Sequence, residues 1–343
     1  MFDLTTQAGV ADWYRQQYDE ENSVERLNGG LINYVWRVTT GSGSVIVKHA
    51  AAHVSSATDI ALDPARLDFE ARALRLFDDK LSHVGTDDVR PPHFLDFDET
   101  EYALVMEDCD GFRDLKSWRK NLGRKLGEFF AALHTETRDD LNLQTQFDNR
   151  DVQKIRYQTQ YAEVGHWFDG HVADATALGD TARAFGASLM EPGDCLIMGD
   201  AWLKSLLVSA RDNENGSQEP TVRVIDWEFA HFGRPAQDLG HLAAHLWLAA
   251  MTGMEGNLAQ AWRAVTSAYR SVGGAWDGAL EHEIGIHAGC EILSRTVGPF
   301  ADRFHPWTPA EVARNVDVAA RLIREQAFSC ENDASWLPLV VVD

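Results

Sequence analysis

The hydrophobic pattern changes from a strand period to a helix period between residues 107 and 122, and this change constrains the fold most. Residues 33–50 (NYVWRVTTGSGSVIVKHA) contain two β-rich runs around a Gly-Ser turn, which predicts a hairpin. Residues 93–107 (HFLDFDETEYALVME) predict a second hairpin that turns at DETE. In residues 122–135 (LGRKLGEFFAALHT), apolar side chains recur at helical spacing. The pattern therefore predicts an α+β fold, with an antiparallel sheet followed by a mainly helical region.

One helix is expected within the N-terminal sheet region, over residues 62–79 (LDPARLDFEARALRLFDD). Asp63 is suited to cap this helix and Pro64 to occupy its first position. Glu70 falls on the apolar stripe of the helix, so its carboxylate needs a buried partner. Lys48, at the end of the second strand of the first hairpin, can supply that partner. The plainer alternative is an exposed lysine and a helix-side carboxylate.

Another carboxylate lies between two apolar runs in the segment CLIMGDAWLKSLLV. Burial of Asp200 in this segment is costly unless the carboxylate is paired or used. Downstream, the β-rich runs SLLVSA and TVRVIDWE flank the polar loop RDNENGSQEP, which predicts a hairpin. Asp200 precedes this hairpin and Asp226 ends it, so their backbones are expected to lie close together. With Lys48 and the Gly-rich turn LNGGLINY, these acids indicate a nucleotide and magnesium site.

Charge and composition exclude several classes of protein. The formal net charge of −22 argues against a nucleic-acid partner, because such a partner needs a basic surface. The apolar stretch HLAAHLWLAAMTGM is too short to cross a bilayer and is expected to be a core helix. The N-terminal residues show no basic leader or apolar core, and the four cysteines lack CxxC spacing. We therefore expect a reduced, cytoplasmic protein with no membrane partner; the sequence does not indicate its oligomeric state.

Several motifs also have plainer interpretations. The histidines of HEIGIH are five residues apart, so they fall on different helix faces and do not form a zinc motif. Neither a G-x-S-x-G motif nor a Walker A loop is present. Asp200 and Asp226 could each be a cap at a loop or strand end. Trp202 and Trp227 could stack on a substrate or enclose a cation, although packing is the more common role.

Taken in order, these motifs resemble the aminoglycoside phosphotransferase, choline kinase and methylthioribose kinase superfamily, whose fold is that of protein kinases. The resemblance covers about residues 26–245, and its segments in sequence order are LNGGLINYVWRV, Lys48, Glu70, LVMEDC (104–109), MGDAWLKS (198–205), IDWE (225–228) and DLG (238–240). It implies a bilobal fold. Residues 1–108 would form a small nucleotide-binding lobe, and residues 109–343 a larger helical lobe with the catalytic loop and the substrate site.

The resemblance also implies roles in phosphoryl transfer from ATP with Mg²⁺. Asp200 would be the base or would orient the acceptor hydroxyl, and Asp226 would be the main magnesium ligand. Glu228, two residues further along a strand, would share the face of Asp226 and hold a second metal ion. The residues implied to bind the nucleotide are Gly29, Gly30 and Asn33 in the phosphate loop, Lys48 with its partner Glu70, and Met106, Glu107 and Cys109 around the adenine.

Two positions depart from the pattern of this superfamily. Met198 stands where the family usually has His, and it cannot hydrogen-bond as an imidazole does. Ser205 stands where aminoglycoside and choline kinases have Asn, but methylthioribose kinases are similar in having Ser, so Ser205 is a candidate magnesium ligand. Arg295, Trp202 and Trp227 are the candidate substrate contacts.

The expected function is transfer of the γ-phosphate of ATP to a hydroxyl group of a small molecule. The candidate acceptors are a methylthioribose-like sugar, an amino alcohol and an aminoglycoside, and the acidic composition slightly favours a cation. The departures at Met198 and Ser205 keep open an alternative. In that alternative the chain is a pseudokinase or a nucleotide- or small-molecule-binding module that has lost turnover.

Overall fold

The computed structural model describes residues 2–27, 32–116, 120–209 and 220–325. The turn glycines Gly29 and Gly30, the loop 210–219 and Cys330 lie outside these ranges.

Two compact units divide the chain. The first contains the residues up to Phe112 together with Arg223–Phe229, and the second contains Arg113–Val222 and the residues from Ala230 onward. The short segment that carries Asp226 is therefore part of the first unit, although it lies in sequence between the two parts of the second unit.

The N-terminal region has alternating apolar and polar residues, and its elements are mainly short strands. In chain order they are α1 (Gln7–Tyr18), β1 (Asn22–Arg26), β2 (Tyr34–Thr40), β3 (Ser44–His49), β4 (His53–Val54), β5 (Ala57–Ala61), α2 (Arg66–Asp79), β6 (Val89–Arg90), β7 (Phe94–Asp98), β8 (Ala103–Glu107) and β9 (Phe112–Asp114).

A five-stranded antiparallel sheet in the order β1-β2-β3-β8-β7 forms the body of the first unit. Both predicted hairpins are present, as β2–β3 and as β7–β8. In the central strand β3, Lys48 pairs with Val35 on one side and with Leu104 on the other. Such a central position holds Lys48 in a rigid part of the sheet.

The predicted helix α2 begins at Arg66, two residues beyond the predicted Pro64. The Asp63 side chain still accepts a hydrogen bond from the Ala65 amide, at 2.9 Å, before the first regular helical residue. Leu67 and Leu74 are fully buried, and Glu70 on the same stripe is 1% exposed. The helical period therefore places a carboxylate in the core, as predicted.

The elements that follow are mainly helices. In chain order they are α3 (Lys120–Glu136), α4 (Leu141–Gln146), α5 (Arg150–Arg156), a π-helical turn (Tyr157–Tyr161), α6 (Val164–Phe168), α7 (Ala175–Ser188), β10 (Cys195–Ile197), a 3₁₀ turn (Leu203–Ser205), β11 (Leu206–Ser209), β12 (Val222–Val224), a second 3₁₀ turn (Trp227–Phe229), β13 (His231–Gly233), α8 (Pro235–Met251), α9 (Leu258–Ser271), α10 (Gly278–Thr296), α11 (Ala301–Phe304) and α12 (Pro309–Glu325).

The second unit is built around α8, whose residues from Pro235 to Ala249 are all buried. Helix α10 packs against both α8 and α12, and α3 packs against α9. Gly127 permits the α3–α9 approach, because a Cβ atom there would lie 2.2 Å from the Val265 carbonyl oxygen. A helix that is apolar on nearly all sides is a core helix, so the prediction for residues 241–254 is confirmed over α8.

The structure confirms the α+β class, with an antiparallel N-terminal sheet and a helical C-terminal region. Across the described ranges, none of the helices has the length and apolar character needed to span a bilayer.

Candidate active site

Lys48 is at the centre of a buried charge cluster in the first unit. Its Nζ lies 2.7 Å from Glu70 Oε2 and 2.7 Å from Asp226 Oδ1. Lys48 and Glu70 are only 2% and 1% exposed, so both need the ion pair. The ion pair predicted between them is present, and the structure adds Asp226 as a second partner of the ammonium group.

Several carboxylates share this one ammonium group. Burial opposes the charged form of Lys48, but Asp226 and Glu70 outweigh it, so the pKa of Lys48 lies above its ordinary value. Burial raises the pKa of Glu70 to about 7; Asp226 and Glu228 add to the increase, and Lys48 opposes it. Negative charge therefore exceeds positive charge around Lys48 when all the carboxylates are ionised.

Asp226 lies just after β12 in a left-handed conformation, with a φ of 66°. Aspartate tolerates this region better than most residues. One carboxylate oxygen contacts Lys48, and 38% of the side chain is exposed. In the described ranges no residue hydrogen-bonds the other oxygen. Asp226 can therefore offer an oxygen to a cation, as a magnesium ligand must.

Glu228 does not follow Asp226 along a strand, which corrects the predicted alignment of the two side chains. The strand β12 ends at Val224, and residues Trp227–Phe229 form a 3₁₀ turn, so the alternation that would align Glu228 with Asp226 is absent. The Glu228 carboxylate, 5% exposed, accepts a hydrogen bond from Asn33 Nδ2 at 2.7 Å and lies 3.3 Å from Arg66 Nε. One carboxylate oxygen of Glu228, Oε2, is thus held within the first unit by Asn33 and Arg66.

Asn33 and Trp227, two further predicted site residues, are also internal. The Asn33 side chain joins Glu228 to Arg66, whose Nη2 donates to Asn33 Oδ1 at 2.7 Å. Trp227 is fully buried; its Nε1 donates to the Val224 carbonyl at 2.8 Å, and its ring packs edge-on against Phe77. Trp227 is therefore a packing residue, since no face of a fully buried ring is open to a substrate.

The predicted adenine-binding segment continues from β8, which lies between β3 and β7 in the sheet. Met106 is 7% exposed in this strand, as expected of a residue that shapes a wall. The Glu107 amide donates to His93 O at 2.9 Å, so this amide is already used. The Cys109 amide has no hydrogen-bond partner among the residues described in the structure. The backbone amide of Cys109, rather than that of Glu107, is therefore available to donate a hydrogen bond to a purine.

Asp238 holds the loop that carries Asp200 in the second unit. Its carboxylate accepts hydrogen bonds from the amides of Met198 (2.9 Å) and Gly199 (2.8 Å). His134 Nε2 lies 3.1 Å from the same carboxylate, and His134 Nδ1 lies 3.0 Å from the Tyr269 hydroxyl. Asp238, His134 and Met198 are all fully buried. The backbone amide of Met198 thus supports the loop, although its thioether cannot replace an imidazole.

Asp200 itself is only partly buried. Its Oδ1 accepts a hydrogen bond from Arg156 Nη2 at 3.0 Å, and 16% of its side chain is exposed. No hydrogen bond reaches Oδ2 from any described residue. The carboxylate is therefore both paired and accessible to solvent. This pairing offsets the cost of placing a charge between two apolar runs.

Ser205, the other predicted metal ligand, is fully buried, and its Oγ has no partner within the described ranges. Such an unsatisfied hydroxyl is unusual and suits a group that receives a ligand. The Ser205 hydroxyl, taken by itself, can therefore accept the role of a ligand to a cation. The described part of the chain holds no ready-made cluster of three metal-binding His, Cys, Asp or Glu side chains.

Two of the predicted substrate contacts, Trp202 and Arg295, lie together in the second unit. The Arg295 guanidinium carbon is 5.2 Å from the Trp202 ring centroid, and 4.9 Å and 5.9 Å from those of Phe300 and Phe304. His245 contacts Trp202 edge-on, with the ring centroids 5.7 Å apart. Because Trp202 follows Asp200 by two residues, this aromatic cluster adjoins Asp200 in sequence, and its rings can face a cationic group.

Glu291 links this cluster to the interior of the second unit. Its carboxylate accepts hydrogen bonds from Arg295 Nε (2.8 Å), His245 Nε2 (2.9 Å) and Gln160 Nε2 (2.8 Å). Burial opposes its charge, but Arg295 and His245 outweigh burial and hold the pKa of Glu291 well below its ordinary value. Neither Glu291 nor Gln160 was predicted from the sequence, since a polar residue in a helix does not by itself reveal a distant partner.

The histidines around Glu291 predict that the protein is destabilised by acid. Burial lowers the pKa values of His241, His245 and His287, so the unfolded chain binds more protons than the folded chain below pH 6.5. Each histidine should then remove up to about 1.4 kcal/mol of unfolding free energy per pH unit. Thermal unfolding followed between pH 7.5 and 5 should show a steadily falling Tm.

A variant comparison isolates this contribution. His241→Gln should flatten the pH dependence of unfolding, because the charge that the unfolded state gains at residue 241 is absent. His166→Gln is the matched control, since the His166 side chain is 79% exposed and should leave the slope unchanged. Equal slopes for the wild type and His241→Gln would contradict the prediction.

Comparisons with known proteins identify the family of this chain. The model of the phosphotransferase enzyme family matches residues 23–274. A 4-hydroxytryptamine kinase of Psilocybe cyanescens is 26% identical over 275 residues, which are 73% of this chain and 75% of that protein. A methylthioribose kinase of Exiguobacterium sibiricum is 22% identical over 331 residues, covering 82% of this chain and 80% of that protein.

Among solved structures, a spectinomycin phosphotransferase in complex with ADP and spectinomycin matches with a TM-score of 0.53. The match is 14% identical and covers 95% of this chain and 98% of that one. At this identity the match shows a shared fold.

Proposed function

Because the chain belongs to the phosphotransferase enzyme family, as a small-molecule kinase, we propose that it transfers the γ-phosphate of ATP to a hydroxyl group of its substrate. The observation that carries this proposal is the position of Lys48, buried between Glu70 and Asp226. A buried lysine held by a carboxylate beside a second, partly exposed carboxylate can bind phosphate and metal together. The ADP bound to a structural neighbour supports the use of a nucleotide.

The residues have separate roles in this proposal. Lys48 would contact the nucleotide phosphates, and Glu70 would keep its ammonium group in place. Asp226 would be the main ligand of Mg²⁺, which neutralises phosphate charge when bound, and Ser205 is a further candidate ligand. Cys109 would donate its amide to the adenine, and Asp200 would orient the acceptor hydroxyl. Residues 1–108 would form the nucleotide-binding lobe.

The acceptor would be a small hydroxyl compound. The names of the relatives suggest 4-hydroxytryptamine and methylthioribose as first probes, and choline and an aminoglycoside complete a panel. ADP release in the presence of Mg²⁺ and ATP should rise with at least one compound of this panel. Nucleotide binding without any turnover would instead favour the binding-module alternative.

The nucleotide site is tested by ligand-dependent unfolding. Mg²⁺-ATP at about 100 times its Kd should add about 2.7 kcal/mol to the unfolding free energy, and Asp226→Asn should remove most of this gain. The reason is that the amide lacks the charge of a magnesium ligand. Differential scanning fluorimetry with and without EDTA measures both effects.

Glu228→Gln is the matched control, because it changes an acid two residues away that pairs with Arg66. This variant should lower the Tm without nucleotide but keep the nucleotide-dependent increase. If Mg²⁺-ATP leaves unfolding of the intact protein unchanged, the proposed nucleotide site is wrong.

A further inference from the structure

Arg156 is the residue that connects Asp200 to the rest of the second unit. It ends α5, immediately before the π-helical turn, and 11% of its side chain is exposed. Its Nη2 donates to Asp200 Oδ1 at 3.0 Å and to the Gly199 carbonyl at 2.7 Å. One guanidinium nitrogen therefore bonds both a loop carbonyl and the predicted catalytic carboxylate.

Arg156 is charged in this position. Burial opposes the charge, but the carboxylates of Asp200 and Glu291 outweigh it and raise the pKa of Arg156 above its ordinary value. Arg156 Nη1 also lies 3.4 Å from Gln160 Oε1, so the guanidinium plane is held at a second point. A guanidinium group held at two edges has few alternative orientations.

Gly199, which precedes Asp200, is also held in place by side-chain hydrogen bonds. It has a φ of 77°, a conformation that glycine adopts readily, and its carbonyl accepts bonds from Arg156 and from Gln237 Nε2 at 3.1 Å. Met198, the preceding residue, has no side-chain donor to offer. Arg156 and Gln237 hold the carbonyl side of the loop, as Asp238 holds its amides.

We propose that Arg156 is a positioning residue for phosphoryl transfer, which fixes Asp200 Oδ1 so that Oδ2 is presented to the acceptor hydroxyl. This inference rests on the proposed function. As the acceptor oxygen forms its bond to the γ-phosphorus, the hydroxyl proton passes to Asp200 Oδ2. The bond between the γ-phosphorus and the bridging oxygen breaks, and its electron pair leaves with ADP. Such a transfer depends mainly on alignment, so a rotated carboxylate slows it.

The experiment compares substitutions at Arg156 with a control on the same helix. Arg156→Ala should lower kcat for ADP release by about 100-fold while leaving the KM for ATP nearly unchanged, because alignment and not nucleotide binding is lost. Added guanidinium ion should restore part of the activity of Arg156→Ala. Arg156→Lys should retain more activity than Arg156→Ala. The control Arg150→Ala removes an arginine whose side chain is 53% exposed and should behave like wild type.

The assay uses Mg²⁺-ATP with water and with each acceptor of the panel. A wild-type chain that releases no ADP overturns the proposed function, and the role of Arg156 with it. An active wild type with an equally active, folded Arg156→Ala overturns the role of Arg156 alone. If Arg156→Ala does not fold, Arg156→Lys decides: a lowered kcat with an unchanged KM for ATP supports the role, and wild-type kinetics refute it. A fall in Tm without a fall in kcat would show a purely structural role.

Discussion

Asp200→Asn is expected to reduce turnover by about 10³-fold, within the range for loss of a positioned proton acceptor. The amide cannot take the proton of the acceptor hydroxyl, and it no longer offers Arg156 a negative charge. Nucleotide binding should be retained, because the nucleotide contacts proposed for the first unit are unchanged. ADP release and the Mg²⁺-ATP-dependent increase in Tm measure the two properties separately.

Stability must be measured in parallel, since Asp200→Asn leaves the Arg156 guanidinium without one of its two carboxylate neighbours. Assays below the Tm of the variant separate loss of folding from loss of chemistry. Asp194→Asn is the matched control, because this aspartate precedes β10 and its side chain is 60% exposed. Turnover equal to that of the control would refute the role assigned to Asp200.

Asp238→Ala is expected to reduce the free energy of unfolding by roughly 3–5 kcal/mol. The substitution removes the acceptor for two loop amides and for His134, all of which are buried. A buried donor without a partner is destabilised by its full desolvation free energy. The decrease in unfolding free energy therefore exceeds the net contribution of the hydrogen bonds themselves. Urea denaturation measures the effect.

Asp277→Ala provides the comparison, because the Asp277 side chain caps α10 by accepting a single exposed hydrogen bond from the Leu280 amide at 2.8 Å. Loss of such a cap costs about 1 kcal/mol. If Asp238→Ala is no more destabilising than Asp277→Ala, the loop that carries Asp200 does not depend on Asp238 in the way the structure indicates.

The elements that local periodicity specifies are those that the sequence predicted well. Both hairpins, the helix α2 and the core helix α8 follow from alternating or helical apolar spacing. The Lys48–Glu70 pair was also predictable, because each residue lies on an apolar face where a lone charge is costly. A buried ion pair can be predicted from sequence when both of its residues lie in strongly periodic elements.

The expectation that strand alternation continues to Glu228 was wrong, and two other site candidates make internal contacts. Glu228 was placed on the face of Asp226 by strand alternation, but the chain leaves β12 at Val224 and turns. Asn33 lies in a segment that resembles a phosphate loop, yet its amide bridges Glu228 and Arg66. Trp227, a large ring in a site motif, fills the core instead.

The sequence by itself determined the α+β class, the order of the site motifs and the need of each buried charge for a partner. Only the tertiary structure decided which partners meet, because the contacts of Asp200 with Arg156 and of Asp238 with Met198 join residues 44 and 40 positions apart. Periodicity repeats over a few residues and carries no information at that separation. Because a buried charge is costly, the sequence indicates that each such residue has a partner. The packing of the helices determines which residue that partner is.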